Sequence, residues 1–244
     1  MQNQPIKQAV ILSAGLGTHL RPLTDNIPKV MVPLGGKPLL EHHIEQFKKH
    51  GVTDFFINLH YLPDAITNYF GDGSQWGVKI TYTLEKPDIR GTAGGMKNFE
   101  PYLHEPFFVI YGDMFSMLDY TAMANEFMRH PDNIGMMLIG PANHLHDSDL
   151  VEVDDKFDFV KLYLKPHSIL PATEMTLLAT YIFTPKILSY IPVNAYYEID
   201  HQLLPDILAH GEKFSGYTSS DYILDIGTME RYQKVQEYLK SLKK

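Results

Sequence analysis

The chain has 244 residues, 44% of them hydrophobic and 20% charged, which is enough to bury a substantial core with the balance of an ordinary globular protein. A formal net charge of −8 with no run of Lys or Arg argues against a nucleic-acid or anionic-membrane surface, because both need a basic footprint. The absence of cysteine removes disulfide frameworks, thiolate nucleophiles and Cys-ligated zinc. Met1 to Lys7 lacks the apolar core of a signal peptide, and no stretch approaches ~18 apolar residues, so a soluble cytoplasmic protein is expected.

Ala9-Val10-Ile11-Leu12 is a short unbroken apolar run, as expected of a strand buried on both faces of a parallel sheet. The Gly-rich segment Ser13 to Thr18 follows it. Pro22, Pro28, Pro33 and Pro38 then punctuate a long ordered loop, each fixing its own φ and disfavouring helix just before it. Leu40, Ile44 and Phe47 share one helical face within 39–50, and Gly51 suits the stop. Residues 54–58 read as a second strand and 63–70 as a short helix stopped by Gly71-Asp72-Gly73; Val78, Ile80, Tyr82 and Leu84 alternate as a third strand. Phe107 to Tyr111 is another buried run that ends abruptly at Gly112-Asp113, followed by a helix near 120–129 and a strand at 135–139. After Pro141 come shorter strand-like pieces at 150–153, 159–164 and 179–183, a helix near 199–210, a segment at 222–225 and a closing amphipathic helix. The alternation predicts an α/β fold: one domain over 1–244, with a doubly wound mixed sheet and helices on both faces. Residues from about 141 onward should extend the sheet and wall a cleft.

The loop Ser13-Ala14-Gly15-Leu16-Gly17-Thr18 could wrap backbone N–H groups around a phosphate, since glycines leave no side chain in the way. Taken alone, Gly-x-Gly is as often a simple tight turn. Lys29, held between Pro28 and Pro33, gains nothing from helix or packing. It is either a solvated surface lysine or a cation fixed to neutralise phosphate oxygens. Asp113 stands at the carboxyl end of a buried strand, where open α/β sheets place ligands, although Asp after Gly also forms turns. Asp225 offers a second carboxylate in a comparable context. Oxygen donors without cysteine, beside a phosphate loop, point to Mg²⁺. Gly91-Thr92-Ala93-Gly94-Gly95 reads as a flexible turn opening a helix at Met96-Lys97-Asn98-Phe99. Of the 12 histidines, His42, His43, His144 and His146 read as surface or structural residues rather than metal ligands.

This ordered series resembles the signature of the sugar-phosphate nucleotidylyltransferase family, Gly-x-Gly-Thr-Arg-Leu-x-Pro-Leu-Thr followed by Pro-Lys and Pro. The likeness continues through Asn68 to Gly73, Gly91 to Gly95, Gly112-Asp113, Lys165-Pro166 and Asp225-Ile226-Gly227-Thr228, and so spans nearly the whole chain. Short members fit best: the mannose- and heptose-1-phosphate guanylyltransferases and the muramate-phosphate uridylyltransferases. The resemblance implies a Rossmann-like nucleotide-binding half over about 1–140 and a smaller sugar-phosphate-binding lobe over about 141–244. It implies transfer of a nucleotidyl group from a nucleoside triphosphate to a sugar 1-phosphate, with pyrophosphate released and Mg²⁺ held by Asp113 and Asp225, for polysaccharide precursor synthesis. Ser13, Ala14, Gly15, Gly17, Thr18, His19, Gly91, Thr92 and Gly94 would then meet the nucleotide, with Glu85 facing base or sugar donors. Gly112, Lys165 and Glu198 would meet the sugar phosphate. The Gly-Thr-Ala-Gly string leans towards GTP, then UTP, dTTP or CTP.

The chain departs from the pattern at His19, where the family has the Arg that clamps the terminal phosphates. Arg21, two positions on, is the candidate to take over that charge beside Lys29. Leu164 replaces the Glu of Glu-Lys-Pro, and Leu177-Leu178-Ala179 replaces Asn-Ala-Gly, so sugar recognition is expected to be unusual. Lys165 also reads as an exposed strand-end lysine. Tyr196-Tyr197-Glu198-Ile199-Asp200 resembles the family's acidic sugar-hydroxyl reader, with Glu198 the best candidate, and Asp200 reads equally as an N-cap for the helix that follows. His19 favours the alternative of a non-catalytic nucleotide-sugar-binding or regulatory homologue; retention of Lys29, Asp113, Asp225 and Lys165 favours the enzyme. A Rossmann dehydrogenase is disfavoured by Asn58, which stands where an acidic residue should end the second strand. The sequence leaves open whether the chain forms a homo-oligomer.

Overall fold

The computed structural model describes residues 6–142, 148–167, 171 and 175–242. Its first strand, β1 (Gln8–Leu12), pairs in parallel with β4 (Asp54–Leu59) on one side and β6 (Phe107–Tyr111) on the other. Alternate side chains serve opposite faces. Ala9 and Ile11 pack with Leu40, Ile44 and Phe47 of α1 (Leu39–Lys49), whereas Val10 packs with Ala93 and Met96 of α3 (Gly91–Lys97). The unbroken apolar run is therefore what two covered faces require, and the expected doubly wound sheet is what the chain adopts.

Between β1 and α1 lies a small hairpin, β2 (Pro33–Leu34) and β3 (Lys37–Pro38). Helix α2 (Pro63–Phe70) and strand β5 (Lys79–Leu84) complete the first edge, where β5 pairs in parallel with β4. The chain then returns across β1 to lay down β6, so the strand order reverses at β1. That reversal opens a crevice at the carboxyl ends of the strands, the usual ligand position in open α/β sheets. In register, Leu12 stands opposite both Asn58 and Tyr111, which brings the loops after β1, β4 and β6 together.

The remaining strands are β7 (Met114–Ser116), β8 (Asn133–Pro141), β9 (Leu150–Val153), β10 (Phe159–Tyr163), β11 (Met175–Phe183), β12 (Lys213–Tyr217) and β13 (Ile223–Asp225); the helices are α4 (Tyr120–Phe127), α5 (Leu204–Ala209) and α6 (Met229–Ser241). Strand β11 runs antiparallel to β6 and β8, and its first residues also pair with β9, so the second part of the chain extends the same sheet. A register shift between Leu177 and Tyr181, with Ala179 at φ 43°, bends β11 where it leaves β6. Strands β7 and β13 form a separate two-stranded ladder that ties the loop after β6 to the start of α6. Phe115, Ile226, Val235 and Leu34 bury this corner as a third core. No helix among the described residues is long and apolar enough to cross a membrane.

Two local expectations are corrected. The glycines of 91–95 lie within α3 rather than ahead of it. Helix-interior glycines are unfavourable by about 1 kcal/mol each, and here close packing explains them. A Cβ on Gly94 would lie 2.7 Å from the Ala195 carbonyl oxygen, and one on Gly95 would lie 2.5 Å from Asn58 Nδ2. Asp200 is not an N-cap either: it lies inside a single π-type turn, Ile199–Leu203, whose cap residue is Glu198.

Candidate active site

A cavity of about 440 Å³ opens over the ends of β1, β4 and β6. Its wall includes Ser13, Ala14, Gly15, Gly17, Thr18 and His19 from the loop after β1, with Lys29 opposite them. Gly17 sits at φ 66°, a left-handed conformation natural to glycine. A Cβ there would lie 3.1 Å from Lys29 Cβ, so the foot of the lysine side chain rests directly against the loop. The Thr24 hydroxyl donates to the Gly17 carbonyl at 2.7 Å and fastens the turn. Gly91, Thr92, Gly112, Asp113 and Glu198 line the same cavity.

Asp113 follows β6 and accepts a hydrogen bond from Lys29 Nζ at 2.6 Å. Asp225 ends β13, where it pairs with Met114, and the Ile226 N–H donates to the Asp113 carbonyl at 2.9 Å. Asp113 thus lies one residue ahead of the ladder position at which Asp225 pairs. Asp225 faces a second cavity of about 590 Å³, lined also by Met114, Lys165, Thr228, Arg231 and Lys234. The Arg231 guanidinium reaches back from α6 to both Asp225 oxygens at 2.7 Å. Each carboxylate is therefore held by its own cation. The cavities adjoin at the Asp113-Met114 step, with the glycine-rich loop on one side and the Lys165, Arg231, Lys234 group on the other.

Three expected site residues lie elsewhere. Arg21 is exposed, outside the cavity wall, and pairs with Asp25 at 3.4 Å. Gly94 packs against backbone. Glu85 is buried behind the cavity and is fully engaged: Oε1 accepts from Asn58 Nδ2 at 2.7 Å and Oε2 accepts from the Arg90 N–H at 2.7 Å. Asn58 in turn accepts the Ser13 N–H at 2.7 Å. This buried relay joins the first residue of the glycine-rich loop to the start of α3, and Asn58 also lines the cavity. Glu198 borders the first cavity rather than the second and accepts from the Tyr196 hydroxyl at 2.6 Å.

The sequence reading missed Asn58 as a site residue, and Arg231 and Tyr111 altogether. Arg231 carried one signal, a cation in the first turn of a helix that starts just past Asp225. His42 and His43 are structural, as expected, while His144 and His146 lie outside the described residues. His42 Nε2 lies 2.8 Å from the Leu34 carbonyl. His43 is buried beneath the Gly112-Asp113 corner, with Nε2 donating to the Gly112 carbonyl at 3.2 Å.

Burial pushes the His43 imidazole down from 6.5 to about 4, helped by nearby His42 and opposed by the Gly112 bond. Between those values only the unfolded chain binds the extra proton. The contribution of His43 to stability is therefore complete above the unfolded pKa, falls with falling pH, and levels off near pH 4. Roughly 3 kcal/mol is at stake over the whole window, about 2 of it lost by pH 5. Urea unfolding at pH 5 and pH 7 should show this loss in the wild type, and His43→Leu should flatten it by that amount. Equal slopes for the two proteins would refute the assignment.

Residues 8–241 match the nucleotidyl transferase family. The chain belongs to that family. It is 30% identical to the UTP–glucose-1-phosphate uridylyltransferase of Synechocystis sp., over 92% of this chain but 61% of that protein. It is also 30% identical to the N-acetylmuramate alpha-1-phosphate uridylyltransferase of Neisseria meningitidis, over 94% of this chain and 96% of that one. The chain thus spans about three-fifths of the first relative and nearly all of the second. Among solved structures, HddC from Yersinia pseudotuberculosis superposes with a TM-score of 0.78 at 26% identity, covering 96% of this chain and 99% of that one. The family match runs across both cavities and the ladder between them.

Proposed function

We propose that the chain is a sugar-1-phosphate nucleotidylyltransferase. The observation that carries the proposal is the placing of Asp113 and Asp225, at the start and end of the β7–β13 ladder, between a glycine-lined cavity and a lysine- and arginine-lined one. The triphosphate lies in the first cavity along Ser13 to His19, and the sugar phosphate in the second, near Lys165 and Arg231. A sugar-phosphate oxygen attacks the α-phosphorus, the bond to the bridging oxygen breaks, and pyrophosphate leaves with that electron pair. The nucleophile is already an anion at neutral pH, so no general base is required. The site's task is to align two polyanions and offset their repulsion, which Lys29 and the loop amides do on one side and Lys165 and Arg231 on the other.

Asp113 and Asp225, on either side of the Asp113-Met114 step, are hard oxygen donors. That set fits Mg²⁺, which typically takes one or two carboxylates and completes its shell with phosphate oxygens and water. When bound by Asp113 and Asp225, Mg²⁺ supplies charge neutralisation for the phosphates.

The Gly-Thr-Ala-Gly string favours GTP, whereas both curated relatives above are uridylyltransferases, so GTP and UTP are the first arms of the test. Pyrophosphate release is measured for four nucleoside triphosphates against a panel of sugar 1-phosphates with Mg²⁺. Release from one pair supports the enzyme. Silence from every pair, with nucleotide binding intact, supports a regulatory homologue, the reading that His19 favours. His19 is exposed at the cavity wall and offers fewer donors than a guanidinium. His19→Arg should therefore preserve kcat/KM or raise it by up to about 100-fold, the worth of one charge-assisted hydrogen bond. A large loss would give the histidine a role of its own.

A further inference from the structure

Arg231 stands in the first turn of α6, just past the N-cap Thr228, at the wall of the second cavity. Its hold on Asp225 uses one nitrogen. Both carboxylate oxygens accept from Nη1 at 2.7 Å, so the two-nitrogen fork that makes arginine–carboxylate pairs strong is not formed. A guanidinium carries five N–H donors, and those on Nε and Nη2 have no protein acceptor among the described residues. The side chain is half-exposed, so little packing fixes it. Asp225, by contrast, is fixed. Its Oδ1 accepts a second bond from the Gly227 N–H at 2.8 Å, and its backbone pairs with Met114 in the ladder. In this ion pair the carboxylate is anchored and the cation can swing.

The charges decide what that asymmetry does. Lys29 and Arg231 each cancel one carboxylate, so Asp113 and Asp225 together present no net negative charge to a divalent cation. With Oδ1 taken by Gly227 and Nη1, and Oδ2 also held by Nη1, Asp225 keeps a single uncommitted lone pair. A phosphate in this cavity is the better partner for the guanidinium, being doubly charged and able to accept from two nitrogens at once. The unused donors on Nε and Nη2 let it engage before Nη1 lets go. Lys234 borders the same cavity but pairs with Glu230 and does not hold Asp225.

We propose that Arg231 is an exchangeable counter-ion: it neutralises Asp225 until a sugar phosphate enters, then passes to the phosphate and leaves the carboxylate to the divalent ion. Metal and sugar phosphate then bind cooperatively and each binds weakly alone. The coupling is reciprocal, since both act through one guanidinium. The inference rests on the transferase reading for its phosphate ligand and on Asp225 as a metal ligand.

The test is calorimetry on the full chain without nucleotide, with Mn²⁺ alone and inorganic phosphate alone as probes. Arg231→Gln should tighten Mn²⁺ binding about tenfold and weaken phosphate binding by a similar factor, the lower end of the range for a charge-assisted hydrogen bond because the pair is half-exposed. An arginine that only braces α6 would not move the two affinities in opposite directions. Lys234→Gln removes a charge from the same cavity without releasing Asp225, and should leave Mn²⁺ affinity within about twofold. Adding Asp225→Asn to Arg231→Gln should cancel the gain in Mn²⁺ affinity. The single variants should fold, with melting temperatures lowered by only a few degrees, since each loses one solvent-facing ion pair. Mn²⁺ binding that is unchanged or weaker in Arg231→Gln, an equal gain in Lys234→Gln, or unchanged phosphate binding overturns the exchange. Opposite shifts without pyrophosphate release from any substrate pair would sink the transferase reading and leave the exchange standing; release with unchanged Mn²⁺ affinity would do the reverse.

Discussion

Replacing Asp113 or Asp225 by alanine is expected to lower kcat/KM for pyrophosphate release by about 10³-fold or more, with the fold retained. The size follows from the several kcal/mol that a bound divalent ion contributes to neutralising transferred phosphate. Two protein carboxylates leave no spare donor, so losing either should be severe. The fold should survive because neither side chain is in the core: Asp113 is 30% exposed and Asp225 31% exposed. Water can take over part of what each cation loses, and the melting temperature should move by only a few degrees. The two substitutions should differ in one respect. Lys29 is 16% exposed, so Asp113→Ala strands a more shielded cation than Asp225→Ala, which leaves the half-exposed Arg231. Asp113→Ala should therefore be the less stable variant. Rates near normal in either variant, measured with saturating Mg²⁺, would remove the metal assignment.

How much of this could be read from residue order depended on the range of the interaction. The buried runs 9–12 and 107–111 and the loop between Pro28 and Pro33 are local patterns, and they located β1, β6 and Lys29 closely. Strand β12 went unread, since Lys213-Phe214-Ser215-Gly216-Tyr217 has neither a clean alternation nor an apolar run; its pairing with β8 is a tertiary choice. The helical glycines of α3 defy propensity because the Ala195 and Asn58 contacts that justify them lie far along the chain. The same holds at the site. Lys29 and Asp113 each announce themselves, but their 84-residue separation hides the ion pair. Arg21 looked like a replacement for the missing arginine by sequence proximity alone. The turn Thr18–Leu20 puts it on the solvent side, against Asp25, while His19 stays at the wall. Asn58 was read only for the acid it is not, and its bonds to Ser13 and Glu85 span 45 and 27 residues.

The relay through Asn58 allows framework and charge to be separated in one experiment. Asn58→Asp should remove the donor to Glu85 and set two carboxylates against each other in a buried site, destabilising the protein by about 3 kcal/mol or more. Glu85→Gln should leave Asn58 Nδ2 or the Arg90 N–H without an acceptor, at about 1–3 kcal/mol. Combined, the two substitutions restore every bond. Aspartate 58 accepts from the Ser13 N–H and from the new amide at 85, whose oxygen accepts from the Arg90 N–H, so only the middle bond changes direction. The double variant should be more stable than either single one, with a coupling of about 2 kcal/mol or more in urea unfolding. Its negative charge, however, has moved from behind the wall to a position that lines the first, glycine-lined cavity. The KM for the triphosphate should accordingly stay raised, roughly tenfold at low salt and less at high salt, while the KM for the sugar phosphate stays near wild type. A double variant as unstable as the worse single would show that the relay does not hold these elements together. Recovery of the triphosphate KM along with stability would show that placing the charge behind the wall has no bearing on binding, leaving Asn58 and Glu85 as scaffolding for the loop and nothing more.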